Sequence, residues 1–132
     1  MTQQQILVEI GSGELIDKIT ILQIKSERMS DAAKLANVRL ELSELSAARD
    51  ASLPASDELE ALSAQLKGIN EALWVIEDDI RACEAEKDFG EKFIALARAV
   101  YVTNDQRAAV KKQINLLTGA KIIEEKSYTE FE

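Results

Sequence analysis

Apolar residues recur every three or four positions along most of this chain, the spacing that gathers them on one side of an α-helix. From Gly13 to about Arg49 one stripe reads Leu15, Ile19, Leu22, Ser26, Met29, Ala33, Ala36 and Leu40. A second reads Asp17, Ile21, Ile24, Arg28, Asp31, Leu35, Val38, Leu42 and Leu45. Both keep heptad phase, so the spacing predicts a single long helix over 13–49. Ser30-Asp31 has the chemistry to start a new helix, but the phase runs straight through it. Two apolar stripes on one helix call for two packing partners, which predicts a central helix.

Asp50 to Ser56 breaks the pattern and holds the only proline, Pro54. Ser56 reads as an N-cap, with Asp57 and Glu58 in the first turn of a helix over 57–86. Its seam is regular: Leu59, Leu62, Leu66, Ile69, Leu73, Ile76, Ile80, Cys83. Asp88 and Glu91 have capping-box spacing and predict a third helix over 89–118, stopped by Gly119. That helix carries Phe93, Leu96, Val100, Thr103, Arg107, Val110, Ile114 and Leu117 on one face. Thr103 and Gln106 offer a second capping box, and with it a kink near Asn104. Ile6 to Ile10 is short and β-prone, and the tail after Lys121 has no clear period. The expected fold is all-α: an antiparallel bundle of three long helices with coiled-coil-like seams, a short N-terminal strand and an irregular C-terminal tail. It occupies residues 1–132 as one domain.

Composition narrows the function. Apolar residues make up 46% and charged residues 30% of the 132 positions, values of a folded chain and not of a disordered one. No apolar run approaches the roughly 20 residues that cross a bilayer. MTQQQILVEI lacks the basic region and cleavage site of a secretion signal, so the chain is expected to begin near Met1 and to stay in the cytoplasm. The absence of histidine removes imidazole general bases, Ser–His and Cys–His nucleophile pairs and His-containing zinc sites. The lone Cys83 excludes an internal disulfide and sits on an apolar seam, as a small core residue would. No catalytic residue, metal site or cofactor is expected. A net charge of −8 disfavours nucleic acid as a partner. The charge is uneven, since Arg98, Arg107, Lys111, Lys112 and Lys121 face only Asp105 within that segment. The reading favoured here is a basic helix neutralising an acidic neighbour.

Gly11-Ser12-Gly13 after an apolar run has the outline of a phosphate-binding loop. The outline is incomplete: a third glycine and a Walker lysine are missing, and Glu14 and Asp17 would repel a phosphate. Ser12 as an N-cap is the reading preferred.

Folding the three expected helices about their short connections sets Arg28 level with Glu77 to Ile80, and Leu73 level with Thr103. Polar residues therefore enter the core at one height: the seam interruptions Arg28/Asp31 and Thr103/Arg107, with Trp74, Glu77 and Asp78 of the middle helix. Asn104, Asp105 and Lys111 join them as candidate site residues. A buried polar layer fixing register, with Arg28 paired to Glu77 or Asp79, is the reading favoured. The alternative is a pocket in which Arg28, Arg107 and Lys111 hold an anionic metabolite against Trp74, with Glu77 or Asp105 as proton-transfer groups.

The stretches GELIDKITILQIK, LWVIEDDIR, FIALARAVYVTNDQRA and GAKIIEEKSY resemble an uncharacterised bacterial family of about this length, a domain of unknown function. Leu73-Trp74 and Asn104-Asp105 look like its signature, and the likeness runs from Ile6 to Tyr128. It implies no activity and no ligand. A distant likeness to the helical chorismate mutases, through Lys18, Lys25 and Arg28, does not reproduce that family's spacing. The function expected is a protein-interaction or scaffold module, as a homodimer or with a protein partner, with no membrane role. A binding protein or enzyme for a small anionic metabolite is the second choice.

Overall fold

The computed structural model describes residues 4–131, so the expected start at Met1 lies outside the described residues. Four helices follow in order: α1 (Ser12–Arg28), α2 (Ala32–Ser52), α3 (Asp57–Ala85) and α4 (Glu91–Thr118). The long first helix expected from the sequence is two. Met29 and Asp31 adopt extended backbone, and the Asp31 carboxylate accepts a hydrogen bond of 2.9 Å from Lys34 N, starting α2 as an N-cap. The connection Met29–Asp31 is as long as one three-residue step of the heptad, which is why the apolar phase survived the break. α2 then folds back along α1, so Leu42, Leu45 and Leu53 pack on the core that Ile16 and Ile19 share with Leu59, Leu66, Val110 and Ile114.

The other helix ends follow their local chemistry. Ser56 Oγ accepts from Leu59 N at 3.1 Å, as an N-cap should, and Gly119 stops α4 in the left-handed conformation at φ 67°. Asp88 is no N-cap: its carboxylate accepts from Gly90 N and shapes the turn before α4. α4 passes Asn104 without a break, since the Thr103–Gln106 box lies inside a continuous hydrogen-bonded helix. No strand forms among the described residues. Ile6, Leu7 and Val8 belong to no regular element and are 88, 87 and 76% exposed. The C-terminal tail is irregular as expected, but it lies on α4: Glu124 pairs with Lys111 at 2.9 Å, and Phe131 meets Tyr101 edge-on at 5.3 Å.

α1 is central, in contact with all three other helices, whereas α2 contacts α1 alone among them. α1 runs antiparallel to α4, with Ser12 beside Asn115 and Asp17 beside Arg107. It crosses α3: Asp17 and Glu27, about three turns apart, meet α3 at Asn70 and Lys67, within one turn of each other. With 17 residues against 29 and 28, α1 covers only part of the α3–α4 pair. The remainder projects as a two-helix arm. Along the described chain from Glu71 to Ala109 only Cys83 is buried, and Leu73, Ile76, Ile80, Phe93, Leu96 and Val100 are half-buried between α3 and α4. Leu40 on α2 and Leu117 on α4, both assigned to seams, lie outside them, 63 and 42% exposed.

No helix of the described residues is long and apolar enough to cross a membrane.

Candidate functional site

The polar level is organised by Asp17, a residue the sequence places in an apolar stripe. Its side chain is 1% exposed. Arg107 of α4 donates to it through Nε at 2.9 Å and through Nη2, a two-point pair that matches guanidinium to carboxylate. Asn70 of α3 donates Nδ2 to Asp17 Oδ1 at 2.9 Å and to Thr20 Oγ1 at 2.9 Å. Lys111, one turn beyond Arg107, stands 3.9 Å away. Burial opposes ionisation of Asp17. The hydrogen bonds from Arg107 and Asn70, with the charges of Arg107 and Lys111, outweigh it and hold the carboxyl below its ordinary value. The hydrogen bond to Asp17 in turn raises Arg107 against its own burial.

A second cluster adjoins the first. Lys111 is buried enough to disfavour its charge, but it donates to Glu14 at 2.8 Å and to Glu124 at 2.9 Å, and its pKa is raised. The bond from Lys111 lowers Glu124 correspondingly. Arg107 and Lys111 of the basic segment thus pair with acids of α1 and of the tail. At the start of α1, Gly13 N donates to Asn115 Oδ1 at 2.8 Å, so a side chain of α4 occupies the helix N-terminus where a phosphate would sit. Ser12 is not the N-cap. Gly11 is, and Ser12 Oγ bonds to Asn115 and Thr118 instead. The two glycines serve close packing: a Cβ on Gly11 would lie 2.5 Å from the Ile122 carbonyl oxygen, and one on Gly13 closer still to that of Lys111.

Where α1 ends, a groove of about 410 Å³ opens between α3 and α4, with Ile21 and Ile24 of α1 at its base. α3 contributes Asn70, Leu73, Trp74, Glu77, Asp78 and Arg81; α4 contributes Val100, Asn104 and Arg107. Of the residues the sequence set at the polar level or beside it, Trp74, Glu77, Asp78, Asn104 and Arg107 meet here. Lys111 lies beside the groove, in the Glu14–Glu124 cluster. Arg28 does not line it. Its partner is Glu71 at 3.7 Å, not Glu77 or Asp79, because α1 crosses α3 where antiparallel packing of one long helix was expected. Glu77 pairs with Arg81 one turn on, at 3.1 Å. Asp105 is exposed on α4 and lines none of this.

Sequence reasoning missed Asp17, Asn70 and Asn115 as organising residues. An acid at a core heptad position was a legible signal for Asp17. Asn70 and Asn115 each follow an apolar seam residue and carry no such mark. No buried side-chain polar atom among the described residues lacks a partner.

No curated protein and no solved structure matches the chain. Over residues 6–131, from the exposed Ile6 to the Phe131 that rests on α4, the chain matches the family of unknown function DUF6165, and it belongs to that family.

Proposed function

We propose that this chain is a protein-interaction module whose docking element is the α3–α4 arm with the groove at its base. One observation carries the reading. α1 stops at Arg28, and the apolar seam beyond it is covered only by the facing helix, which leaves Leu73, Ile76, Ile80, Phe93, Leu96 and Val100 half-buried. Two helices alone bury too little to be self-sufficient, and side chains of this kind are stabilised by a further apolar surface. The arm's far end adds Phe89 and Ile94, 51 and 54% exposed, and it is there that a second copy would pair. The anion-binding alternative loses support because Arg107 is neutralised by Asp17 and Lys111 by Glu14 and Glu124. Arg28 does not line the groove and is paired with Glu71. We assign the module to the cytoplasm, where a free, buried Cys83 is in keeping.

A photoreactive residue placed at Val75 or Ile94 in the full chain, expressed in its native host, tests the reading. Discrete adducts are expected at those positions, and none at Glu44 on the outer face of α2. A mass twice that of the chain identifies a second copy. Equal labelling at all three positions, or none at any, overturns the proposal.

A further inference from the structure

We propose that the groove at the base of the arm receives an arginine or lysine side chain from a peptide segment of the partner, with its charge at Asp78 and its aliphatic stem along Trp74. The inference rests on the interaction reading above and names the chemistry the partner must bring.

The charges of the groove decide its preference. Four charged residues line it: Glu77, Asp78, Arg81 and Arg107. Arg81 is tied to Glu77 through both Nε and Nη2, at 3.3 and 3.1 Å. Arg107 spends Nε and Nη2 on the buried Asp17. Each pair cancels. Asp78 has no ion-pair or hydrogen-bond partner among the described residues, so it is the uncompensated charge of the groove.

The uncharged polar groups agree. Asp17 is ionised and can only accept, so the Asn70 amide must turn its Nδ2 toward it. Thr20 Oγ1, whose own hydrogen goes to the Asp17 carbonyl oxygen, takes the second Asn70 hydrogen. What Asn70 has left is its carbonyl oxygen, an acceptor with no donor among the described residues. The Asn104 side chain has no hydrogen-bond partner among the described residues, and it can turn its oxygen to a donor without giving up another bond. A guanidinium or ammonium group supplies donors and positive charge together. A carboxylate or phosphate would meet the charge of Asp78 and the free oxygen of Asn70.

The apolar lining suits the rest of such a side chain. Trp74, Leu73 and Val100 form walls along which three or four methylenes can lie, and an indole face attracts a cation within about 6 Å. Trp74 and Asp78 are one helical turn apart on α3, so stem and charge can be met by the same face of one helix. The net charge of −8 steers a basic segment toward the chain before any contact forms.

Trp74 is the only tryptophan, so its fluorescence reports on the groove. The full chain is titrated with two end-blocked peptides, Ala-Leu-Arg-Lys-Leu-Ala and Ala-Leu-Glu-Glu-Leu-Ala. Saturable change with the basic peptide alone is expected. Asp78→Asn should weaken it about tenfold, the scale of one charge-assisted contact. Glu58→Gln, which removes the same charge from the other end of α3, should leave it within about twofold, as screened distant charges do. Equal weakening by both variants would mean diffuse attraction and no site. Equal response to the acidic peptide, or no saturable response at all, also overturns the inference. Because arm adducts are read separately, their formation without a peptide response sinks the basic-side-chain inference and leaves the interaction reading standing.

Discussion

Arg107 grips both carboxylate oxygens of Asp17, and through this one pair α4 is fixed against α1 at a defined height. Asn70 ties α3 to the same carboxylate, so three helices meet at one buried charge. A slip of α1 by a single turn would break the two-point pair: in one direction Asp17 would face Lys111 and strand Arg107 without an anion, and in the other Arg107 would face Glu14 and leave Asp17 in the core without a cation. The cost of that mismatch is what selects the register. The apolar contacts around it, Ile16 with Val110 and Ile114, tolerate sliding far better, since one branched side chain can replace another.

Asp17→Ala should therefore destabilise the fold by about 3–5 kcal/mol, the range for breaking a buried pair from one side. Chemical denaturation monitored by helical circular dichroism measures it. Replacing both members together, Asp17→Leu with Arg107→Leu, should recover much of the loss, because no charge is then stranded. A double variant as unstable as the sum of the singles would mean that the pair is uncoupled and the register is set elsewhere.

Acid should unlock the same pair. The Asp17 carboxyl is held below its ordinary value of 3.8, so the folded state binds its proton less readily than the unfolded chain does. Its contribution to stability is complete above the unfolded pKa and falls away as pH drops through the lowered folded value. Glu124, lowered by Lys111, acts in the same direction. Lys111 is raised above 10.5, so its contribution holds below that and is lost as pH rises through the raised value. A stability plateau is expected between about pH 5 and pH 10, with an acid limb that Asp17→Asn flattens. Melting temperatures of parent and variant across the acid range check it. Parallel acid limbs would exclude Asp17 as their source.

The helical class, the α3 and α4 boundaries and the Ser56 and Gly119 caps were legible because periodicity and capping are local. The break at Met29–Asp31 was hidden. Its length matches a heptad step, and only the Asp31 cap, a signal weaker than the uninterrupted phase, marked it. Once α1 and α2 are separate, the height assigned to Arg28 changes and the expected pair with Glu77 disappears. The groove was half legible: Trp74, Glu77, Asp78, Asn104 and Arg107 were grouped by their height along α3 and α4, which survives a local error in helix count. Arg81, one turn beyond Glu77, was not among them and lines the groove past the end of α1. Asn70 and Asn115 take their importance from what faces them across the bundle, which no spacing along the chain encodes.

Gly13→Ala should be poorly tolerated in spite of the better helix propensity of alanine. The added methyl would press on the Lys111 carbonyl oxygen, a backbone atom in the middle of α4 that cannot swing aside. α1 would have to move off α4, loosening the bond from Gly13 N to Asn115. A loss of about 1–3 kcal/mol is expected, the range for overpacking. Gly68→Ala is the control: no atom lies within 4 Å of the added methyl, and helix propensity alone should make that change neutral or stabilising. If the two variants melt alike, close approach at Gly13 is not what its position requires.

Arg28 and Arg107 provide the sharpest comparison, because sequence spacing set them at the same height with the same role. Arg28 faces Glu71 at 3.7 Å, and both side chains are 39% exposed. Water solvates either partner once the other is gone, so Arg28→Ala should cost no more than about 1 kcal/mol. Arg107→Ala removes the two-point partner of a carboxylate that is 1% exposed, leaving only Asn70 and a Lys111 nitrogen 3.9 Å away. The carboxylate must then take up a proton or remain buried with its charge largely uncompensated, at a cost of about 3–5 kcal/mol. The two costs should also differ in their salt dependence. Raising salt should erase the small Arg28 effect, since exposed charges are screened, and leave most of the Arg107 effect intact. Urea denaturation of both variants at low and high salt measures all four quantities. Equal losses at the two positions would contradict the burial of Asp17 that distinguishes them.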